Sequence, residues 1–101
     1  NEYNLNVAMA KKNLKTIRKK LDFLDNKLLN LFKKRTLLVN DILKTKKYKN
    51  QIIDKKRIKV ILKNIKRKSL KKNMEPKLSE EIWKGIIRSY IKYEFKNFKK
   101  K

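Results

Sequence analysis

The chain has 101 residues, no cysteine, no histidine and a formal net charge of +23. This length predicts one domain with a modest core. The two absences exclude disulfides, thiol chemistry, the usual zinc ligands and the usual histidine general base. If the protein is an enzyme, we therefore expect its chemistry to rest on positioning and electrostatics, without proton shuttling or a metal.

Glycine and proline occur once each, which favours long helices and few connections. No apolar run approaches the roughly 18 residues of a membrane span, and no secretory signal stands at the start. We therefore expect a cytoplasmic protein without membrane contact. The predicted organisation is a disordered or frayed extension, residues 1–10, followed by one helical domain, residues 11–101. Met9 is a candidate natural start, which would make the first eight residues an extension.

The first predicted helix runs from about Lys12 to Lys46 and carries an apolar seam. In this seam, residues recur at alternating steps of three and four: Leu14, Ile17, Leu21, Leu24, Leu28, Leu31, Leu38 and Ile42. Arg35 stands where the series calls for an apolar residue. A helix of this length cannot bury its seam alone, so we expect a partner helix, as in a coiled coil or a bundle shared between subunits.

Three cations of this helix are candidate anion ligands. Arg35 and Lys46 are 11 residues apart, close to three turns, so they share a face and can enclose a small anion. Arg18 lies about 25 Å before Arg35 and roughly 100° around the helix, so it can serve that anion only from a second, antiparallel subunit. As alternatives, Arg18 is a solvated surface residue, Arg35 sets the register of a coiled coil, and Lys46 stabilises the helix end.

Two shorter helices are predicted after a loop at residues 47–53. Asp54 is expected to cap a second helix from about Lys55 to Leu70, with Arg57 in its first turn. Pro76 suits the first turn of a third helix that ends near Phe98. Their apolar faces contain Ile58, Ile61, Leu62 and Ile65 on the second helix, and Leu78, Ile82, Trp83, Ile86, Ile87, Tyr90, Ile91, Phe95 and Phe98 on the third. No strand pattern is present, which predicts an all-α fold.

Glu94 interrupts the apolar face of the third helix, four residues after Tyr90. Such a carboxylate either pairs with a lysine inside the helical bundle or belongs to a polar site. Together with Arg35, it predicts a helical oligomer that contains a buried polar cluster.

The order of these residues resembles the all-helical chorismate mutases. It reads Leu14-x-x-Ile17-Arg18-x-x-Leu21-Asp22-x-Leu24-Asp25-x-x-Leu28-Leu29-x-Leu31-Phe32-x-x-Arg35, then Lys46, Ile53-Asp54-x-x-Arg57 and Ile82-Trp83-x-x-Ile86-Ile87-x-x-Tyr90-Ile91-x-x-Glu94. The resemblance implies a three-helix chain with a very long first helix, in an intertwined homodimer of the chorismate mutase type II kind. It also implies the rearrangement of chorismate to prephenate, in phenylalanine and tyrosine biosynthesis, without a cofactor.

The resemblance further implies residue roles. The partner subunit's Arg18 and this chain's Arg35 grip the two carboxylates of chorismate, while Lys46 stabilises negative charge on the breaking ether oxygen. Glu94 stands where many relatives have glutamine, so we expect it to act protonated, with higher turnover at acidic pH. The implied catalytic residues are Lys46, Glu94 and Arg35, and the implied substrate-binding residues are these three with Arg18, Asp54, Arg57 and Tyr90.

Two alternative functions remain open from the sequence. An apolar Ile58 after Arg57 and the Tyr90-Ile91 pair are compatible with isochorismate pyruvate lyase on the same fold, which forms salicylate and pyruvate. The net charge alone predicts a basic helical nucleic-acid-binding protein whose affinity falls steeply with salt. A lysine-rich coding composition also explains that charge, and nucleic-acid binding gives no reason for Arg35 or Glu94. We therefore expect chorismate as the partner, and no specific nucleic acid.

Overall fold

A computed structural model describes residues 1–99, and in this part of the chain all the regular structure is helical. The first helix, α1, spans Glu2–Thr45, α2 spans Lys55–Lys71 and α3 spans Pro76–Asn97. A short 3-10 helix, Lys49–Gln51, lies between α1 and α2. The prediction of an all-α chain with three helices and a very long first helix is confirmed.

The start of α1 differs from the sequence prediction. We expected the helix to begin near Lys12 after an irregular extension, whereas it begins at Glu2. The side chain of Asn1 accepts a hydrogen bond from the backbone amide of Asn4, at 2.9 Å, and so caps the first turn. Neither glycine nor proline follows before the end of α1, so nothing in the sequence stops the helix. The domain boundary that we placed after residue 10 stays a prediction.

The chain forms two compact units, and the first, Asn1–Leu37, is the N-terminal part of α1. Its seam residues are exposed in the single chain: Leu28, for example, retains 50% of its accessible surface and Ile17 retains 54%. The amphipathic pattern is therefore present, but the apolar face of this unit is not covered within the chain.

The second unit begins at Leu38 and contains the end of α1 together with α2 and α3. Helices α2 and α3 pack against each other. The predicted apolar face of α2 is half-buried, as are Trp83, Ile86, Ile87, Tyr90 and Ile91 on α3. Leu78, Ile82 and Phe95 are exposed, so only part of the predicted α3 face is covered within the chain.

Local hydrogen bonds cap both ends of α2. As predicted, Asp54 caps its start, because its carboxylate accepts the backbone amide of Arg57 at 3.0 Å. At the other end, Asn73 adopts a left-handed backbone conformation with φ of 55°, and the amide of Met74 donates to the carbonyl of Ser69 at 2.9 Å. The same carbonyl also accepts the amide of Lys72, at 3.1 Å, so the last turn of α2 ends in a hydrogen-bonded turn that leads into α3.

Candidate active site

The centre of the candidate site is an ion pair between the end of α1 and the C-terminal part of α3. The Lys46 ammonium donates to Oε1 of Glu94 at 3.2 Å. Only 16% of the Lys46 side chain and 10% of the Glu94 side chain are exposed. Replacing such a poorly hydrated ion pair by apolar side chains changes the stability of a protein little. Removing one partner alone is strongly destabilising, because the other charge is then buried without a partner. The pairing with a lysine, one of the two sequence interpretations of Glu94, is therefore present in this structure.

The segment after α1 fixes where Lys46 lies. The amide of Lys46 donates to the carbonyl of Leu43 at 3.1 Å, so Lys46 still continues the last turn of α1. The next two amides, of Lys47 and Tyr48, both donate to Oε1 of Gln51, at 2.7 and 2.9 Å. Ile52, which is only 3% exposed, anchors the end of this loop in the core of the second unit. Sequence reasoning assigned the loop correctly but missed Gln51 and Ile52, because neither belongs to a periodic pattern.

An open cleft of about 820 Å³ lies beside the ion pair in the second unit. Its lining includes the polar side chains of residues 49–51 and the first residues of α2, together with Lys46, Ile53, Asp54 and Phe95. Its titratable groups are lysines except for Asp54, whose carboxylate already caps α2. The cleft therefore presents a positive field to a small anion.

The described contacts of Tyr90 and Arg57 are with residues other than Lys46 and Glu94. Tyr90 is half-buried, and its ring meets the ring of Tyr93 edge-on, with centroids 6.3 Å apart. The Tyr93 hydroxyl donates to Oδ1 of Asn40 in α1, at 2.8 Å. Arg57 is exposed in the first turn of α2, and its backbone amide is the group that contacts Asp54. Sequence reasoning did not single out Tyr93 or Asn40, because they are 53 residues apart.

The two remaining predicted ligands, Arg18 and Arg35, belong to the N-terminal unit. Arg35 is half-buried, whereas Arg18 is exposed. Arg18 lies in a shallow depression on the surface of α1, formed with residues within two turns of it: Lys11, Leu14, Lys15, Lys19 and Asp22. On one continuous helix, Arg18 and Arg35 are about 25 Å apart along the axis. The structure therefore supports the premise that Arg18 of one chain cannot reach a small ligand held by Arg35 of that same chain.

Across residues 1–99, no three acidic side chains gather where they could bind a metal ion. No helix in the same range is long and apolar enough to cross a bilayer.

The chain is a three-helix protein in which a poorly hydrated lysine–carboxylate pair lies beside a cationic cleft. Such a site suits a small anionic ligand. The family model for chorismate mutase type II matches residues 17–95. The chain therefore belongs to the chorismate mutase type II family, and it is an isomerase. The matched range includes every predicted site residue. Comparisons with curated proteins and with solved structures gave no significant match.

Proposed function

We propose that this protein converts chorismate to prephenate, within phenylalanine and tyrosine biosynthesis. The observation that carries the proposal is the Lys46–Glu94 pair beside a cationic cleft, in a chain of this family. The rearrangement is intramolecular: an ether C–O bond breaks while a C–C bond forms, with no covalent intermediate. This chemistry requires no histidine or cysteine, in keeping with the composition of the chain.

Lys46 is the group proposed to lower the barrier. As the ether bond breaks, its oxygen gains negative charge, which a fixed ammonium in a poorly hydrated position stabilises more in the transition state than in the ground state. Its partner Glu94 holds the ammonium in place through the 3.2 Å contact. A protonated Glu94 donates a second hydrogen bond to the same oxygen, whereas an ionised Glu94 repels it.

The arginines are proposed to bind the two carboxylates of the substrate. A guanidinium forms two parallel hydrogen bonds with a carboxylate, which fixes orientation as well as position. Holding the enolpyruvyl arm over the ring in this way supplies proximity catalysis. The proposal assigns Arg35 and the partner subunit's Arg18 to this task. Arg57, the Asp54 segment and Tyr90 are proposed to surround the ring hydroxyl and the ring carboxylate.

A second copy of the chain is the proposed source of Arg18. The seam of α1 is exposed in the single chain, and Leu43 and Ile52 are the two buried apolar side chains of the described residues. So small a core leaves a strong hydrophobic drive for association. An antiparallel α1 from a second chain covers the seam and brings its own Arg18 toward the site.

The direct test is chorismate consumption by the purified protein. We expect turnover to prephenate, and a loss of about 10- to 100-fold in kcat/KM for Arg35→Ala, because charged hydrogen bonds to a carboxylate are removed. Arg67→Ala, at an exposed position of α2, is the matched control and should retain wild-type activity. If chorismate disappears no faster than in buffer, the proposal is wrong.

The same assay separates the mutase from its nearest rival. With isochorismate as substrate, a lyase releases fluorescent salicylate, whereas the proposed mutase releases none. Salicylate formation that exceeds prephenate formation would establish the lyase instead.

Glu94→Gln tests the proposed role of the Glu94 side chain. Glutamine offers a donor to the ether oxygen without the negative charge of a carboxylate, so kcat of the variant should be higher than that of the wild type by about tenfold or more. Glu81→Gln is the control, since Glu81 is an exposed acid on α3. A Glu94→Gln enzyme whose kcat stays within about twofold of the wild type would refute the role of Glu94.

A further inference from the structure

Tyr93 connects the residues that the proposed reaction uses on α3. Its ring meets the ring of Tyr90, one turn earlier, and its hydroxyl donates to Asn40 of α1 at 2.8 Å. Glu94 is the next residue in sequence. We propose that Tyr93 and Asn40 form a positioning pair that sets the rotation of α3 against the end of α1, and so holds Glu94 against Lys46. The inference deepens the proposed function and rests on it for its kinetic consequence.

Two contacts between α3 and the end of α1 are needed to fix the position of α3. Tyr93 and Glu94 project from α3 about 100° apart. Tyr93 meets Asn40 within α1, and Glu94 meets Lys46, the residue that follows α1. Asn40 and Lys46 are six residues apart, or roughly 9 Å along the axis of α1. A single contact leaves α3 free to turn or slide about that contact. Two contacts at separate heights and directions fix both movements.

A small rotation of α3 about its axis displaces the Glu94 carboxylate by a large distance. Side-chain atoms lie about 6 Å from the helix axis, so a rotation of about 10° moves them by about 1 Å. A displacement of that size is enough to spoil a catalytic contact. The Lys46–Glu94 contact, at 3.2 Å, has little length to spare before the hydrogen bond is lost.

The Tyr93–Asn40 bond is suited to this task. Its length is at the preferred value for a hydroxyl donor, and both residues are half-buried, so water competes with it only partly. The edge-on contact with Tyr90 is a second restraint on the same ring. Tyr93 thereby joins the two α3 residues assigned to the substrate, Tyr90 and Glu94, to one fixed point on α1.

The kinetic test is a double-mutant cycle. Tyr93→Phe removes only the hydroxyl and keeps the ring against Tyr90, while Asn40→Leu removes the acceptor. We expect each to lower kcat about three- to tenfold with little change in KM, and the double variant to be no worse than either single variant, since both polar partners are then gone. Tyr3→Phe, at an exposed tyrosine, is the matched control.

A second background separates positioning from general stability. In Glu94→Ala, the residue that Tyr93 positions is absent, so Tyr93→Phe should have no further effect on kcat. An equal loss in both backgrounds, or kcat of Tyr93→Phe within about twofold of the wild type, overturns the inference.

A measurement without substrate keeps this inference distinct from the proposed function. The side-chain ammonium of Lys46, followed by nitrogen NMR, should exchange its protons slowly with water in the wild type and in Tyr3→Phe. Tyr93→Phe should accelerate that exchange, because the contact with Glu94 loosens. Unchanged exchange contradicts the positioning role even in an active enzyme, whereas accelerated exchange supports it even if chorismate proves not to be the substrate.

Discussion

Replacement of Lys46 by glutamine is expected to lower kcat by about 100- to 1,000-fold, the usual loss when a donor to a developing oxyanion is removed. Glutamine still offers a hydrogen-bond donor to Glu94, so the variant keeps a link between the end of α1 and α3 while it loses the positive charge. The loss should appear in kcat more than in KM, because the ether oxygen carries its charge only in the transition state.

Lys44→Gln is the matched control for this substitution. Lys44 is in the same turn, but its side chain is 78% exposed and pairs with the exposed Asp41, at 3.8 Å. An exposed pair of this kind contributes little to stability or to the site. Far-ultraviolet circular dichroism should show that both variants remain helical. A Lys46→Gln enzyme that keeps a tenth or more of the wild-type kcat, roughly 1.4 kcal/mol of lost stabilisation, contradicts the assignment of Lys46 to the ether oxygen.

Two inactive variants are expected to restore activity when they are refolded together. Arg18→Ala removes the residue that each site is proposed to receive from the other chain, and Lys46→Gln removes a residue that each site takes from its own chain. In a hybrid dimer one of the two sites then contains both wild-type residues. Random pairing makes half of the dimers hybrid, so the mixture should reach about a quarter of the wild-type activity.

The control mixture combines Lys46→Gln with Arg35→Ala, both in residues that the proposal draws from one chain. In those hybrids each site lacks one residue, so no activity should return. Recovery in the control, or none in the Arg18→Ala mixture, rules out the proposed division of the site between subunits. Light scattering on each mixture checks that the species present are dimers.

Local signals in the sequence account for most of the fold. Asp54 and Pro76 marked the starts of α2 and α3, since a cap and a first-turn proline act within a few residues of the helix that they begin. The start of α1 was missed because its signal, the Asn1 side chain, lies at the first residue of a polar stretch without strong periodicity. Helix ends were predicted within about two residues, which is the usual margin for such boundaries.

Long-range side-chain contacts were harder to predict from the chain. Periodicity marked Glu94 as unusual, because it interrupts an apolar face, but it did not choose between pairing with a lysine and a catalytic role. Periodicity also did not predict the Tyr93–Asn40 hydrogen bond, or the two backbone amides that donate to the side chain of Gln51. These contacts depend on how α3 and the loop after α1 are set against the end of α1. All the assignments to the substrate stay predictions: Arg18, Arg35, Lys46, Asp54, Arg57, Tyr90 and Glu94.

The exposed seam of α1 has a thermodynamic consequence. Within one chain, Leu43 and Ile52 are the buried apolar side chains of residues 1–99. In the proposed dimer, the chain therefore acquires most of its core from association, and folding and assembly become one equilibrium. The free energy of unfolding then depends on the logarithm of the amount of protein present, as mass action requires. The stability of such a dimer is a property of the solution at a given protein concentration, and it has no fixed value for one chain alone.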